Sequence, residues 1–313
     1  MKIVFAGTPE FAVPSLRALV AAGHEVVGVI TREDAPHGRK RVLTPSPVAT
    51  AAEELGLPVL RANTLDDAAT AWAAALAPDL GVIVAYGGLV REPLLSLPSH
   101  GWINLHFSEL PRWRGAAPVQ RALEAGEQTL GVTVFRLVAA LDAGDVLTRD
   151  AREFAPGTSA GAALTELADF GTAAVLEAVS LLASDPAAGE PQRGEETYAR
   201  KLTREDGKID LARPAPVVLA HWAGVTPEPG AYALHEGQPL KLLELAPLAE
   251  TSDLGATDVD LAAAPGTVTL IGGAAVLTTS DGPLLLRRVQ PAGKPAMEAA
   301  AWLRGRDGQA VLA

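Results

Sequence analysis

The sequence contains no cysteine, and this absence excludes disulfide bonds, thiolate metal ligands and a cysteine nucleophile. Its first residues, MKIVFAGTPEF, include one lysine and only a brief apolar run that ends at Gly7. That run is far shorter than the apolar region of a signal sequence or a membrane-spanning helix. We therefore expect a soluble cytoplasmic protein that does not associate with membranes.

Positive charge is also scarce, because 26 Lys and Arg residues stand against 37 Asp and Glu residues, giving a formal net charge of −11. Nucleic-acid binding rests on the neutralisation of phosphates by Lys and Arg. The composition therefore argues against a protein that coats nucleic acid, although it leaves a local basic patch open. With 313 residues, 48% of them hydrophobic, the chain is long enough for two domains with apolar cores.

Common nucleotide-binding and metal-binding signatures are missing as well. The loop AGTPEF follows the first apolar run but lacks G-x-G-x-x-G, and G-x-x-x-x-G-K-[ST] occurs nowhere in the chain. Thr8 and Pro9 in this loop instead fit the cap and the first residue of a helix. The scattered histidines include no i, i+4 pair and no H-E-x-x-H, so we expect no metal site.

In the first half of the chain, apolar runs alternate with helical patterns. Strand-like runs cover 2–6, 25–31, 57–60, 80–87 and 101–107, and helical patterns cover 14–23, 47–56, 66–77 and 116–126. Strands that are apolar throughout and alternate with helices are typical of a parallel sheet covered on both faces. The pattern predicts a doubly wound α/β domain.

Two β-rich runs, 131–138 and 145–154, predict a hairpin added to this sheet, and an Ala- and Leu-rich helix follows at about 160–184. The next stretch, SDPAAGEPQRGEE, is rich in Pro, Gly and charge, as interdomain linkers are. Short β-like runs then recur at regular intervals after Ile209, which predicts a small antiparallel barrel or sandwich. We expect a first domain over residues 1–187, a linker over 188–206 and a second domain over 207–313.

Polar residues that could take part in catalysis occur where one predicted strand ends. Asn104 and His106 are two residues apart in INLHF, so their side chains leave the same face of the sheet. Asp142 lies in the predicted hairpin turn, where Gly144 would let the backbone pass close to a ligand. Together they supply an oxyanion donor, a proton-transfer group and a charge that raises the pKa of the imidazole.

This set predicts acyl transfer from a bound donor to an amine without a covalent enzyme intermediate. The alternative interpretation is structural: Asn104 and His106 would satisfy backbone groups at a strand end, and Asp142 would form the turn. An open parallel sheet usually binds its ligand outside the carboxyl ends of its strands, where Asn104 and His106 are expected.

A basic segment interrupts the acidic chain between the second strand and the next helix. TREDAPHGRKRVLT, residues 31–44, holds four basic residues and two acidic ones and is long for such a connection. It is either a solvated charge run or an arm in which Arg39, Lys40 and Arg41 contact phosphates.

Six segments together closely resemble the methionyl-tRNA formyltransferase family, in order and over nearly the whole chain: FAGTPEFAVPSL, VIVAYGGLV, INLHFSELPRWRGAAPVQRAL, GVTVFRL, LDAGDVL and VQPAGKPAM. The resemblance implies a Rossmann-like formyltransferase domain followed by an OB-like barrel. It also implies that the protein uses 10-formyltetrahydrofolate to formylate the α-amino group of methionine on initiator Met-tRNA. We expect the protein to act as a monomer and without a metal.

The resemblance further implies roles for individual residues. Asn104, His106 and Asp142 match the family's catalytic trio, and Arg39, with Lys40 and Arg41 beside it, matches the arm that reaches the tRNA acceptor stem. The residues Arg112, Trp113 and Arg114 fit structural support of the site better than a grip on nucleic acid. The folate-contacting positions of the family correspond to Ser108, Glu109, Leu110 and Pro111 and, around the pterin, to Ala85, Tyr86, Gly87, Gly88, Leu89, Val90 and Leu141.

Two rival functions remain open from the residues. A formyltransferase acting on a nucleotide-linked amino sugar would use the same trio, and a non-catalytic RNA-binding protein would need only an α/β scaffold and the basic arm. Residues 208–313 hold eight Lys or Arg against eleven Asp or Glu, so basic residues of the barrel must cluster on one face to bind tRNA strongly.

Overall fold

The computed structural model describes residues 1–38, 41–248 and 263–313. The chain forms two compact units. Unit 1 comprises Met1–Pro118, Leu130–Arg152 and Leu164–Ala199, and unit 2 comprises Val119–Thr129, Glu153–Ala163 and Arg200–Ala313.

The elements up to residue 199 are, in chain order, β1 (Lys2–Gly7), α1 (Val13–Ala21), β2 (Glu25–Thr31), β3 (Ala35–His37), β4 (Val42–Thr44), α2 (Pro47–Glu54), β5 (Val59–Arg61), α3 (Asp67–Ala75), β6 (Leu80–Val84), β7 (Trp102–His106), β8 (Arg114–Gly115), α4 (Pro118–Glu124), β9 (Thr129–Arg136), β10 (Val146–Glu153), α5 (Ala160–Ser184) and β11 (Tyr198–Ala199).

A seven-stranded sheet forms the centre of unit 1, with the strand order β10-β9-β7-β6-β1-β2-β5. Strands β7, β6, β1, β2 and β5 are mutually parallel, and β9 runs antiparallel to β7. The apolar runs that form β1 and β6 are buried almost completely, as parallel strands between two helical layers are. The predicted doubly wound α/β fold, with a hairpin added at its edge, is therefore confirmed.

One helix among the described residues, α5, is long and apolar enough to cross a membrane by length and composition alone. The core helix of a soluble protein passes the same test, so the observation is weak. Gly171 of α5 lies against Leu105 of β7, and the Thr148 hydroxyl donates to the Ala174 carbonyl oxygen at 3.0 Å. The apolar side of α5 therefore covers one face of the sheet.

The first loop differs from its prediction. Thr8 does not cap a helix, because its hydroxyl donates to the carbonyl oxygen of Tyr86 at 2.9 Å. The chain forms a short 3-10 turn over Glu10–Ala12 without a side-chain cap, and α1 follows it. Thr8 thus links the loop after β1 to the loop after β6.

The remaining elements belong to unit 2 and are α6 (Ala215–Val225), β12 (Tyr232–His235), β13 (Gln238–Pro247), β14 (Thr267–Ile271), β15 (Ala274–Thr278), β16 (Pro283–Pro291), β17 (Met297–Glu298), α7 (Ala299–Arg304) and β18 (Gln309–Val311). The sheet order is β12-β13-β16-β15-β14-β18, with β17 paired to β16.

The sheet of unit 2 curls into a nearly closed antiparallel barrel. Leu234 of β12 and Ala313, just beyond β18, exchange two backbone hydrogen bonds at 2.6 and 2.8 Å. These bonds join the first and last strands, which confirms the predicted barrel. The sequence interpretation missed α6, whose Trp222 indole donates to the Leu242 carbonyl oxygen of β13 at 2.8 Å.

Candidate active site

Strand β7 carries two of the predicted residues near its carboxyl end. Asn104 pairs with Ile83 of β6, and His106 follows two residues later. Leu105 between them points toward α5, so Asn104 and His106 face the other side of the sheet. Asn104 is half-buried, so its amide keeps access to the space beside the sheet.

His106 is hydrogen-bonded through one ring nitrogen and faces a carboxylate with the other. Its Nε2–H donates to the Trp113 carbonyl oxygen at 2.9 Å, and its Nδ1 lies 3.9 Å from Oδ2 of Asp142. The side chain is buried, and this burial lowers the pKa of His106, although the Asp142 carboxylate and the Trp113 carbonyl oppose the shift. The Asp142 charge therefore raises the pKa of the imidazole as expected, but the loss of water outweighs it and the net shift is downward.

Asp142 reaches His106 by an indirect route. In the antiparallel pair of β7 and β9, Ile103 lies opposite Arg136, so the loop after β9 starts beside the beginning of β7. The loop must then return along β7 before Asp142, at a φ of 46°, meets His106. The Asp142 carboxylate accepts a hydrogen bond from the Gly115 backbone N–H at 2.7 Å.

Gly144 lets the loop before β10 approach strand β9 closely. A Cβ at this position would collide with the backbone carbonyl oxygen of Arg136. The glycine is therefore required by the close approach of the loop to its own strand, and a ligand contact at its Cα stays a prediction.

A second, two-stranded sheet supports the turn after β7. Strand β8 pairs in parallel with β11, and the Trp113 backbone N–H donates to the Thr197 hydroxyl at 2.8 Å. Arg114 is buried and hydrogen-bonds Gln192, and it forms an ion pair with Glu196 at 2.7 Å. Arg114 therefore stabilises the turn that carries the Trp113 carbonyl, in line with the structural role expected for residues 112–114.

The positions matched to folate contacts fall into two groups. Ser108, Leu110 and Pro111 are buried, and the Ser108 hydroxyl closes its own turn by donating to the Arg112 carbonyl oxygen at 2.6 Å. Glu109 is exposed and lies over Gly131 of β9. The buried residues of this group therefore fix the conformation of the turn that follows His106.

The loop after β6 presents apolar surface. Ala85 and Gly87 have φ values of 49° and 81°, while Tyr86 is buried and its hydroxyl donates to the Ala62 carbonyl oxygen at 2.6 Å. Gly88 and the buried Val90 belong to the same loop, whereas Leu89 is 64% exposed. Leu141, next to Asp142, is 54% exposed. Exposed leucines at a site edge are suited to contact with a planar apolar ring.

Two family models cover most of the chain. The model described as formyl transferase matches residues 1–179, and the model for the formyl transferase C-terminal domain matches residues 201–307. The chain belongs to the formyltransferase family. This membership confirms the resemblance that the six sequence segments carry.

Individual relatives of this formyltransferase agree with the family models. Proteins named methionyl-tRNA formyltransferase from Leifsonia xyli subsp. xyli and Clavibacter sepedonicus are 54% and 51% identical to it, and each alignment covers 100% of both chains. Among solved structures, HypX from Aquifex aeolicus in complex with tetrahydrofolic acid has a TM-score of 0.65 at 19% identity, covering 97% of this chain and 47% of that one. At that identity the structure supports the fold alone.

The basic arm of the formyltransferase is described only in part. Arg39 and Lys40 lie outside the described residues, whereas Arg41 is exposed at the end of the β3–β4 hairpin with a φ of 49°. Val42 and Leu43 of the same hairpin are also exposed, at 59% and 67%. Among the residues with described positions, no group of three or more His, Cys, Asp or Glu could hold a metal ion, and the expectation of no metal stays a prediction.

Several groups that contact the candidate site were not indicated by any pattern in the sequence. The Trp113 carbonyl and the Gly115 N–H are backbone groups, which any residue supplies. Gln192 and Thr197 lie in the segment predicted to be a linker, where composition gave no reason to expect contact with the site. The folded pairing of β8 with β11 is what brings this segment to the site.

Proposed function

We propose that this protein transfers a formyl group from 10-formyltetrahydrofolate to the α-amino group of methionine on initiator Met-tRNA, for translation initiation in the cytoplasm. The observation that carries the proposal is the arrangement of Asn104, His106 and Asp142: a half-buried amide, a buried imidazole and a carboxylate 3.9 Å from the imidazole. Whole-length similarity to proteins named methionyl-tRNA formyltransferase supports the choice of acceptor.

Each group has a distinct role in the proposed reaction. The amine nitrogen attacks the formyl carbon, a C–N bond forms, and the electron pair of the carbonyl moves to oxygen. The Asn104 amide donates a hydrogen bond to this oxyanion. His106 Nδ1 accepts the proton that the amine loses, and the Asp142 carboxylate stabilises the resulting imidazolium.

The intermediate then collapses to products. The bond between the formyl carbon and folate N10 breaks, its electron pair goes to N10, and the proton held by His106 is delivered to that nitrogen. The products are formyl-Met-tRNA and tetrahydrofolate, and no covalent enzyme intermediate forms. The lowered pKa of His106 supports this sequence, because the imidazole starts in the neutral form that accepts a proton.

Substrate binding is assigned to surfaces around this group. The loop over 85–90, the turn over 108–111 and Leu141 would hold the folate, and the exposure of Leu89 and Leu141 supports a ring contact there. Arg39, Lys40 and Arg41 would contact the acceptor stem of the tRNA. The protein would act as a monomer.

The test is transfer of labelled formyl from 10-formyltetrahydrofolate to Met-tRNA by the purified protein. Asn104→Ala and His106→Ala should each lower kcat by about a hundred- to thousandfold, the usual effect of removing one oxyanion donor or proton-transfer group. His24→Ala, a histidine remote from β7 in sequence, is the matched control and should leave kcat unchanged. Near-normal formylation by both site variants, or transfer only to a nucleotide-linked amino sugar, would contradict the proposal.

A further inference from the structure

Gln192 joins the Asp142 loop to the turn that holds His106. Its Nε2 donates to the carbonyl oxygens of Asp142 and Gly144 at 2.8 and 2.9 Å. Its Oε1 accepts two hydrogen bonds from the Arg114 guanidinium, at 2.7 and 3.2 Å. Both donors of the amide and its acceptor are engaged, so the orientation of the side chain is fixed.

Arg114 transmits this contact to both members of the His106–Asp142 pair. Its preceding residue, Trp113, supplies the carbonyl oxygen that binds His106, and its following residue, Gly115, supplies the N–H that binds the Asp142 carboxylate. Gln192 therefore closes a ring of contacts that contains the imidazole and the carboxylate.

The conformation of Asp142, which these contacts fix, depends on support from its surroundings. Asp142 adopts a φ of 46°, which non-glycine residues seldom do and which persists only when surrounding contacts hold it. The 3.9 Å between Nδ1 and Oδ2 also exceeds a hydrogen-bond distance, so the two groups interact by charge alone, and that interaction weakens when the loop carries the carboxylate away from the ring. The two bonds from Gln192 hold the loop on both sides of Ala143, next to the strained residue.

We propose that Gln192 is a positioning residue for formyl transfer, which holds the Asp142 carboxylate at its working distance from His106 through the carbonyl groups of Asp142 and Gly144. The inference rests on the proposed function. It assigns Gln192 no contact with either substrate, so it predicts an effect on turnover and little effect on substrate binding.

Two variants separate the contacts of the amide. Gln192→Met keeps a side chain of similar length but removes all of its hydrogen bonds. Gln192→Glu keeps an acceptor for Arg114 but turns an oxygen toward the carbonyl oxygens of Asp142 and Gly144, which repel it. Both should lower kcat about ten- to a hundredfold, the usual range for a misplaced catalytic group, with KM for folate and Met-tRNA within about twofold. Gln290→Met, which removes a similar donation to the Lys294 carbonyl oxygen in the barrel, is the matched control and should keep kcat.

A double-mutant cycle distinguishes positioning from general support. If Gln192 acts through the Asp142 charge, adding Gln192→Met to Asp142→Asn should lower kcat no further than Asp142→Asn does alone. NMR titration of the His106 ring should show its pKa falling in Gln192→Met, in the same direction as in Asp142→Asn, because the carboxylate that raises it has moved away. The inference would be overturned if the factor by which kcat falls in the double variant were the product of the two single factors, or if the pKa of His106 were unchanged in Gln192→Met.

The NMR readout does not depend on the reaction. If the wild-type protein failed to formylate Met-tRNA, the proposed function would be wrong, while the His106 titration would still report whether Gln192 positions Asp142. If formylation succeeded and the titration in Gln192→Met matched the wild type, only the assignment of Gln192 would fail.

Discussion

At the scale of single residues, His106 is subject to opposing effects. Burial disfavours the imidazolium, whereas the Asp142 carboxylate and the Trp113 carbonyl favour it, and burial is the stronger. Because the Nε2–H is engaged by Trp113, Nδ1 is the nitrogen that carries the lone pair in the neutral ring. The environment thus keeps a neutral base at the site and places a charge nearby that stabilises it once it is protonated.

This balance predicts the pH dependence of formyl transfer. The neutral imidazole is the active form, so kcat/KM should fall as the pH drops through the lowered pKa of His106. Asp142→Asn removes a charge that raises this pKa, and its acidic limb should therefore lie at lower pH than that of the wild type, at a reduced kcat. The check is kcat/KM against pH for both proteins with the same Met-tRNA, whose own titration is common to both profiles; a limb displaced to higher pH would rule out the role given to Asp142.

At the scale of elements, the periodicity of apolar residues predicted the strands and helices whose pattern is set by local burial. The strands β1, β2, β6 and β7 read as apolar runs because both their faces are covered, and the helices between them read as amphipathic segments. Helix α6 was missed because APVVLAHWAGV is a short, almost wholly apolar run, which periodicity does not distinguish from a strand. The prolines at its start are a helix signal that the interpretation did not use.

The candidate site was predictable to the extent that it lies on one strand. Asn104 and His106 follow from alternation along β7, whereas the approach of Asp142 depends on the direction of β9 and on a loop that reverses its course. The contact of Gln192 with the site depends on the pairing of β8 with β11, two strands that are separated along the chain by α4, β9, β10 and α5. Long-range pairings of this kind leave no local pattern in a single sequence.

The reversed loop predicts a sharp sensitivity at Gly144. In Gly144→Ala the new Cβ meets the Arg136 carbonyl oxygen, which belongs to a strand and cannot move aside, so the loop must shift. We expect a loss of about 1–3 kcal/mol in the free energy of unfolding and a kcat at least tenfold lower. Gly282→Ala, where the nearest atom to the new Cβ is 3.9 Å away, is the control for thermal unfolding and kinetics, and equal behaviour of the two variants would show that the loop tolerates displacement.

At the scale of the whole molecule, charge constrains how an acidic protein binds an acidic partner. The net charge of −11 repels tRNA at long range, so attraction must come from local groups. In the described part of the barrel, Arg288 is already paired with Glu244 at 3.1 Å and Glu298 at 3.8 Å. An arginine paired with two carboxylates is less available to a phosphate than an unpaired one, so Arg288 is a weaker candidate for tRNA contact than the basic arm.

The salt dependence of KM for Met-tRNA tests this distribution of charge. Each Lys or Arg that contacts a phosphate contributes about 1 to the slope of log KM against log salt concentration. Replacing Arg39, Lys40 and Arg41 with Gln should therefore flatten the slope and lower activity with Met-tRNA, while KM for 10-formyltetrahydrofolate stays the same. Arg288→Gln is the matched control and should keep the wild-type slope, because that guanidinium is committed to Glu244 and Glu298. A triple variant with the wild-type slope, or an equal loss in Arg288→Gln, would move the tRNA contact from the arm to another surface.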